Sequence, residues 1–205
     1  MRRYVWLKDD PVGMEQAEVV IGAGGLEARS VAIGSSPVPY RLDLDLAVDH
    51  GWVTQRLALQ VVGDRWSRSL ALDRDLDGSW RGTWTEFGAP PPAVDGARPA
   101  DAIEPHEIPG AVVDVDVEWS PLTNVMPIRR LGLTAAGAAG RFTMAWVAVP
   151  SLAVTLDEQH YTLLGVDDGD VCARFESGDG LFAAVLRCDA DGVVLDYPGI
   201  ARRVR

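Results

Sequence analysis

Cysteine is scarce in this chain, and residue spacings typical of metal sites are lacking. Cys172 and Cys188 are the two cysteines among 205 residues, too few for a disulfide scaffold and too far apart for a zinc-ligand pair. His50, His106 and His160 are scattered along the chain. The Gly-x-Ser-x-Gly motif of serine hydrolases is absent. The sequence therefore predicts no metal site and no cofactor, and it contains no recognisable catalytic motif.

Long apolar runs and an excess of positive charge are also absent. No segment approaches the roughly 20 apolar residues of a membrane-spanning helix. The N-terminus is basic, but the charged and proline residues 8–11 follow too soon for the apolar core of a secretory signal to form. We therefore expect a cytoplasmic protein without stable membrane insertion. The net charge of -11 repels the phosphates of nucleic acids and of anionic membrane surfaces. A lipid partner would therefore have to enter a pocket as a single molecule.

Alternation of apolar and polar residues recurs along the whole chain. In residues 40–49, Tyr40, Leu42 and Leu44 fall on one side of an extended chain, whereas Arg41 and Asp43 fall on the other. This period of two indicates β-strands. Comparable segments, separated by turn residues, are 52–62, 66–72, 79–87, 112–119, 142–149, 160–166, 171–176, 181–188 and 193–197. Helix signals are poor, and residues 134–139 and 155–159 are expected to be loops. The sequence thus predicts a mainly β fold whose strands give one dry and one wet sheet face.

Residues 88–110 interrupt this pattern because they are rich in proline. The segment contains Pro90, Pro91, Pro92, Pro99, Pro105 and Pro109. Proline cannot donate a hydrogen bond to a central β ladder, so we expect an exposed excursion between two halves of one sheet. The N-terminal half alone would leave an unpaired edge and an uncovered apolar face. The chain is accordingly predicted to be a single domain over residues 1–205.

Three carboxylates alternate along one predicted strand. Asp114, Asp116 and Glu118 share a face, with successive side chains about 6.5–7 Å apart. Such a row could act as acid and base on a sugar, or hold a hard cation. It could also be an ordinary solvated strand face that Arg129 and Arg130 neutralise from a neighbouring strand. The sequence leaves these interpretations open.

The segment that follows, residues 120–131, is predicted to be a rigid polar loop that leads into a strand. Two prolines bracket Asn124, a residue that tolerates turn geometry. In the predicted strand, Arg129 and Arg130 would point to opposite faces, so at least one would need a partner near the dry side. An ion pair with Asp114 or Asp116 and a direct contact with a ligand are the two alternatives.

Over nearly its whole length, the sequence resembles the putative glycolipid-binding family of bacterial proteins, which was formerly known as a domain of unknown function. The matching residues are Trp6, Glu18, Asp114-x-Asp116, Ser120-Pro121-x-x-Asn124-x-x-Pro127-Ile128-Arg129-Arg130-Leu131, Trp146, Pro150, Gln159-x-Tyr161 and Asp196-Tyr197-Pro198-Gly199. The resemblance implies a single curved antiparallel sheet, a half-barrel or open barrel with few or no helices, similar in shape to bacterial carriers of lipid chains. It also implies that residues 88–110 are an insertion, since the family usually connects the flanking strands more directly.

The function that we expect is non-catalytic binding of a glycolipid or a similar lipid-like amphiphile. The acyl part would lie on the concave apolar face, and polar residues at the rim would receive the head group: Asp114, Asp116, Asn124, Arg129, Gln159 and Tyr161. The alternative is an enzyme that acts on a sugar or lipid head group through Asp114, Asp116 and Glu118. A third hypothesis is a homo-oligomer in which a second subunit covers the apolar face.

Overall fold

Strands make up most of the chain. The computed structural model describes residues 1–204, without the side chain of Asp179. The first seven strands are β1 (Arg2–Lys8), β2 (Gly13–Gly22), β3 (Gly25–Gly34), β4 (Tyr40–Val48), β5 (Thr54–Val62), β6 (Trp66–Arg74) and β7 (Trp80–Gly88). The next seven are β8 (Asp114–Val117), β9 (Ala139–Val147), β10 (Val154–Asp167), β11 (Asp170–Ser177), β12 (Phe182–Cys188), β13 (Val194–Tyr197) and β14 (Ala201–Arg203). Short helical segments complete the described part of the chain: α1 (Pro92–Gly96), α2 (Val125–Leu131) and the 3-10 helices Pro105–Glu107, Pro121–Asn124 and Gly178–Gly180.

All of these strands belong to one sheet, in the order β7-β6-β5-β4-β3-β2-β1-β14-β13-β12-β11-β10-β9-β8. Neighbours run antiparallel, except that β8 is parallel to β9. The first and last strands pair at the centre of the sheet, where Trp6 lies opposite Arg203. The outermost strands, β7 and β8, do not pair with each other. The sheet is therefore open.

The sheet curves back over its own apolar face. The amide of Thr54, at the start of β5, donates to the carbonyl of Val113 at 2.9 Å, just before β8. The amide of Val115 in β8 lies 3.3 Å from Thr54 Oγ1. These strands are third and fourteenth in the sheet order, so their direct contact requires strong curvature. The predicted fold class, a mainly β protein with one curved, largely antiparallel sheet and few helices, is confirmed.

Apolar and polar residues divide between the two faces as the period of two predicts. Along β4, every second residue is buried: Tyr40, Leu42, Leu44, Leu46 and Val48. The side chains of Arg41 and Asp45 are exposed on the opposite face. Because the sheet is curved, its apolar face is largely filled by its own residues, among which Trp6, Leu57 and Leu72 have no exposed surface. The hydrophobic core therefore occupies most of the half-barrel.

The prediction of a strand that contains Arg129 and Arg130, within residues 125–131, is wrong. These residues form α2, and the preceding residues form a 3-10 helix. Pro127 is the third residue of α2, within the first turn, where its missing N–H group costs no internal hydrogen bond. Arg129 and Arg130 consequently point about 100° apart around a helix instead of to opposite faces of a sheet. Residues 155–159, expected as a loop, belong to β10.

The proline-rich residues 88–110 lie against the sheet. Most of their side chains are exposed, as predicted, but Val94 in α1 and Ile108 are buried. The guanidinium group of Arg68, on β6, pairs with Asp95 of this segment at 2.5 Å and with Glu86 at 2.7 Å. The segment therefore packs as a cover over the end of the sheet that carries β6 and β7.

Candidate functional site

A cleft of about 200 Å³ opens at the end of β8. Its polar wall is formed by Asp116, Glu118, Ser120, Asn124, Asp157, Gln159 and Ser177. Its apolar wall is formed by Val117, Trp119, Trp146, Phe175, Phe182, Tyr197 and Ile200. The lining therefore comes from six consecutive strands, β8 to β13, and from the segments that connect them.

A larger hollow of about 580 Å³ lies on the outer face of β2 to β5. Two of its charged side chains, Arg29 and Asp45, pair with each other at 2.8 Å, and both are well exposed. Charged pairs on an exposed sheet face are ordinary surface features. We therefore take the cleft at the end of β8 as the candidate site.

Hydrogen bonds connect the polar wall around Asp116. Thr123 Oγ1 donates to Asp116 Oδ1 at 2.6 Å, and Gln159 Nε2 donates to Asp116 Oδ2 at 2.7 Å. The Tyr161 hydroxyl donates to Asn124 Oδ1 at 2.9 Å and lies 3.1 Å from Gln159 Oε1. Asn124, Gln159 and Tyr161 are all buried. A buried hydrogen-bond network is rigid, so it fixes the orientation of the groups that face the cleft.

Asp157 joins this network from β10. Its Oδ2 atom accepts a hydrogen bond from Gln159 Nε2 at 2.9 Å and one from Ser177 Oγ at 2.8 Å. Residues two apart on a strand share a face, and the register of β10 with β11 places Gln159 opposite Ser177. Strand geometry thus brings these three residues to one side of the cleft.

Asp114 lies behind the cleft and is fully buried. Its carboxylate forms a two-point ion pair with Arg130 of α2, with N–O distances of 2.5 and 2.7 Å. Arg130 also donates to the carbonyl of Trp52. The predicted ion pair between an arginine and this carboxylate is therefore present, and the solvated-face interpretation is wrong for Asp114.

Burial raises the pKa of the two carboxyl groups at the end of β8. The pKa of Asp116 rises to about 6, because burial outweighs the hydrogen bonds from Thr123 and Gln159. The pKa of Glu118 rises to about 7, again mainly through burial and despite the hydrogen bond that its Oε2 accepts from the amide of Val149 at 2.7 Å. Both groups thus change protonation state near neutral pH.

A buried ion pair lies next to Glu118. Lys8 Nζ is 3.6 Å from Glu15 Oε2, and both side chains are almost fully buried. Ser120 Oγ, in the cleft wall, donates to Glu15 Oε1 at 2.9 Å. Burial lowers the pKa of Lys8, although Glu15 acts in the opposite direction. Glu15 therefore holds Ser120 in place through a hydrogen bond and neutralises the charge of Lys8 through the ion pair.

The apolar wall is aromatic. Phe175, Phe182 and Tyr197 form a triangle with ring-centre distances of 5.9, 6.0 and 6.2 Å. Phe182 is 38% exposed, so the triangle reaches the mouth of the cleft. Trp119 and Trp146 line the cleft as well. Aromatic faces of this kind pack against sugar rings and acyl chains.

The predicted head-group residues fall into three groups. Asp116, Asn124 and Gln159 line the cleft, and Tyr161 lies directly behind them. Asp114 is not part of the lining. Arg129 lies elsewhere, with its guanidinium group 4.2 Å from the ring centre of Trp52 and its Nη1 donating to the carbonyl of Asp191 at 3.1 Å.

Several lining residues were not identified from the sequence. Asp157, Ser177 and Phe182 lie on strands whose register with the rest of the sheet has no local sequence signal. The alternation Asp157-x-Gln159-x-Tyr161 on one strand was a usable hint, because it places a third polar residue on the same face as the two that the family resemblance indicated.

The raised pKa of Glu118 predicts a stability that falls as the pH rises. A carboxyl group whose pKa is higher in the folded than in the unfolded state stabilises the fold below the unfolded value, and this contribution is lost as the pH rises through about 7. We expect Glu118→Gln to match the parent near pH 5 and to exceed its free energy of unfolding near pH 8 by about 3 kcal/mol. Urea denaturation at both pH values measures this difference. Glu27→Gln, on the exposed face of β3, is the control, and a Glu118→Gln profile parallel to the parent's would contradict the prediction.

None of the helices within residues 1–204 is both long and apolar enough to cross a membrane. In that same part of the chain, no three histidine, cysteine, aspartate or glutamate side chains are grouped so that they could hold a metal ion.

The fold and the cleft define an open β half-barrel with a small cleft that has one polar and one aromatic wall. A family model described as "Putative glycolipid-binding" matches residues 3–203, and the chain belongs to this family. A crystal structure of a DUF1089 family protein from Pseudomonas aeruginosa is similar, with 28% sequence identity and a TM-score of 0.67 over 93% of this chain and 92% of that chain. No match is found among curated proteins. The family resemblance predicted from the sequence is confirmed.

Proposed function

We propose that this protein binds the glycosyl head group of a glycolipid or a similar amphiphile in the cleft at the end of β8. The observation that carries the proposal is the pairing of a rigid polar wall around Asp116 with an aromatic wall around Phe182. Sugars have hydroxyl groups for the first wall and apolar ring faces for the second. The family description supports the same ligand class.

The polar wall suits hydroxyl groups. Asp116 has oxygen lone pairs left after its bonds with Thr123 and Gln159, and a carboxylate is a strong acceptor for a sugar hydroxyl. Gln159 and Tyr161 hold Asp116 and Asn124 in place. In this proposal Asp114 acts indirectly, because its ion pair fixes α2 behind the cleft. Arg129 is not part of the cleft lining, so it does not bind the head group in this proposal.

The size of the cleft limits what it can enclose. Its volume of about 200 Å³ is below the roughly 300–1,000 Å³ that is usual for drug-sized ligands. A monosaccharide unit suits this volume better than a complete glycolipid. The acyl chain would then continue from the mouth along Phe182 and Ile200, where each buried methylene group contributes about 0.8 kcal/mol.

Titration with an alkyl glycoside tests this proposal. The fluorescence of Trp119 and Trp146 is a built-in probe, and calorimetry provides an independent measurement. We expect saturable binding of octyl glucoside, weakened about tenfold or more by Asp116→Asn, because the amide can accept but presents an N–H group in place of one carboxylate oxygen. Asp73→Asn, on the exposed face of β6, is the matched control and should bind as the parent does.

Two results together would contradict the binding proposal. The first is an absence of saturable binding by alkyl glycosides with chains of different length. The second is an absence of lipid in the organic extract of the purified protein, as judged by mass spectrometry.

A second candidate function is hydrolysis of a sugar or lipid head group, which the raised pKa values of Asp116 and Glu118 favour. Perturbed carboxyl groups that face one cleft are a common property of acid–base catalysts. Asp114 cannot join them, since Arg130 occupies its carboxylate. Release of nitrophenol from nitrophenyl glycosides, lost in both Asp116→Asn and Glu118→Gln, would support this candidate over simple binding. Undiminished release from either variant would exclude the assigned carboxyl pair.

A further inference from the structure

We propose that the head group selected by this cleft is an amino sugar with a free ammonium group, and that anionic amphiphiles are rejected. This inference rests on the proposed function and specifies its ligand. It follows from the charges of the lining residues and from the hydrogen-bonding groups that the described residues leave without partners.

The cleft is negatively charged without a compensating cation. Asp116, Glu118 and Asp157 line it, and neither lysine nor arginine does so within the described part of the chain. Because the pKa is about 6 for Asp116 and about 7 for Glu118, the negative charge of the cleft grows as the pH rises through this range. Two basic groups behind the cleft wall are held by other carboxylates: Lys8 by Glu15 and Arg130 by Asp114. A phosphate, sulfate or carboxylate in the cleft would therefore meet like charges, whereas an ammonium group would meet opposite ones.

Two of the carboxylates have one oxygen without a partner. Asp157 accepts both of its hydrogen bonds at Oδ2, and Glu118 accepts its hydrogen bond at Oε2. Asp157 Oδ1 and Glu118 Oε1 accept none from the residues that the structure describes. A cation with several N–H donors could satisfy both atoms, and such charge-assisted bonds are about twice as strong as neutral ones.

The cleft also has donors without acceptors, and these call for hydroxyl groups on the ligand. Asn124 is 4% exposed and lines the cleft, and its Oδ1 is occupied by the Tyr161 hydroxyl. Its amide N–H groups have no acceptor among residues 1–204. The same holds for the indole N–H groups of Trp119 and Trp146, in contrast to that of Trp80, which donates to the carbonyl of Val112 at 3.0 Å. A ligand must therefore supply acceptors as well as a cation.

An amino sugar combines these properties in one ring. Its ammonium group provides charge and donors for the carboxylates, its hydroxyl and ring oxygens accept from Asn124 and the indoles, and its apolar face packs against the aromatic wall. A simple alkylamine provides the charge but lacks the acceptors. A neutral glycoside provides the hydroxyl groups but leaves the negative charges uncompensated.

A series of ligands with the same alkyl chain tests the inference. We expect octyl glucosaminide to bind about tenfold or more tightly at neutral pH than octyl glucoside, octyl N-acetylglucosaminide and octylamine, each measured by calorimetry. Octyl sulfate should show no saturable binding. Added salt should reduce the preference for the amine, because screening weakens attraction between charges.

Two variants locate the preference in the cleft. Glu118→Gln and Asp157→Asn should each reduce the ratio of glucosaminide to glucoside affinity several-fold, while Asp73→Asn should leave the ratio unchanged. Circular dichroism confirms that each variant is folded. Each variant is judged by the ratio of its affinities for the glucosaminide and the glucoside. A substitution that weakens binding of both ligands equally leaves this ratio unchanged.

The outcomes separate this inference from the proposed function. If octyl glucoside binds as tightly as octyl glucosaminide, the amino-sugar inference is overturned and head-group binding stands. If octylamine binds as tightly as the glucosaminide, the inference is also overturned, because the sugar would contribute nothing. If none of the glycosides binds, both proposals are overturned.

Discussion

Replacement of Arg130 by methionine is expected to lower the free energy of unfolding by about 3–5 kcal/mol. Asp114 has no exposed surface, and its carboxylate is matched by the two-point ion pair with this guanidinium group. Without Arg130, a buried charge would remain without a partner, or Asp114 would have to take up a proton. Burial already raises the pKa of Asp114, so the variant should recover part of its stability as the pH is lowered.

The neighbouring arginine is a matched control for this experiment. Arg129 lies in the same helix and is similarly exposed, but it contacts the ring of Trp52 and a carbonyl group instead of a fully buried carboxylate. Arg129→Met should cost only about 1 kcal/mol. The double variant Asp114→Asn with Arg130→Met should be more stable than Arg130→Met alone. Urea denaturation measures the free energy of unfolding of each variant. If Arg129→Met and Arg130→Met lower it by the same amount, the buried ion pair has no special role in stability.

Replacement of Trp6 by alanine is expected to cost a similar amount, about 3–5 kcal/mol. Trp6 is fully buried on β1, and its indole Nε1 donates to the carbonyl of Val194 in β13 at 2.8 Å. The side chain thus fills the core at the place where the first strand meets the last ones. Since Tyr197 of the aromatic wall is on the same β13, we also expect the variant to bind alkyl glycosides more weakly.

Trp84 provides the comparison for this second substitution. It is 41% exposed on the outermost strand β7, so Trp84→Ala should cost about 1 kcal/mol or less and should not change ligand binding. Guanidinium denaturation of both variants measures the two free energies. If the two alanine variants lose the same stability, the assigned role of Trp6 at the centre of the sheet is wrong.

The strands were predictable because their signal is local. Along β4, side chains two apart share a face, and a single stretch of sequence is enough to show which face is buried. The helix α2 was not predictable in the same way. With seven residues and a proline at its third position, it has little helical propensity of its own, and it forms where the Asp114–Arg130 ion pair and the core hold it.

The cleft was predictable only in part, for a related reason. Asp116, Asn124, Gln159 and Tyr161 belong to motifs that the family resemblance indicated, and the structure brings them together. Asp157 and Phe182 come from strands whose positions depend on long-range register, which no local pattern specifies. Arg129 is adjacent to Arg130 in the sequence, but in the helix its side chain lies away from the cleft.

The pairing of β1 with β14 has a consequence for folding during protein synthesis. The two partners of the Trp6–Val194 hydrogen bond are 188 residues apart, so the centre of the sheet forms only after residues 194–203 have left the ribosome. Until then, β1 and β13 present open edges that invite pairing with other chains. Hairpins within each half can form early because their contacts are local, whereas joining the halves is a late and slow event. Nascent chains that stop before residue 201 should therefore aggregate, even though most of their hairpins are complete.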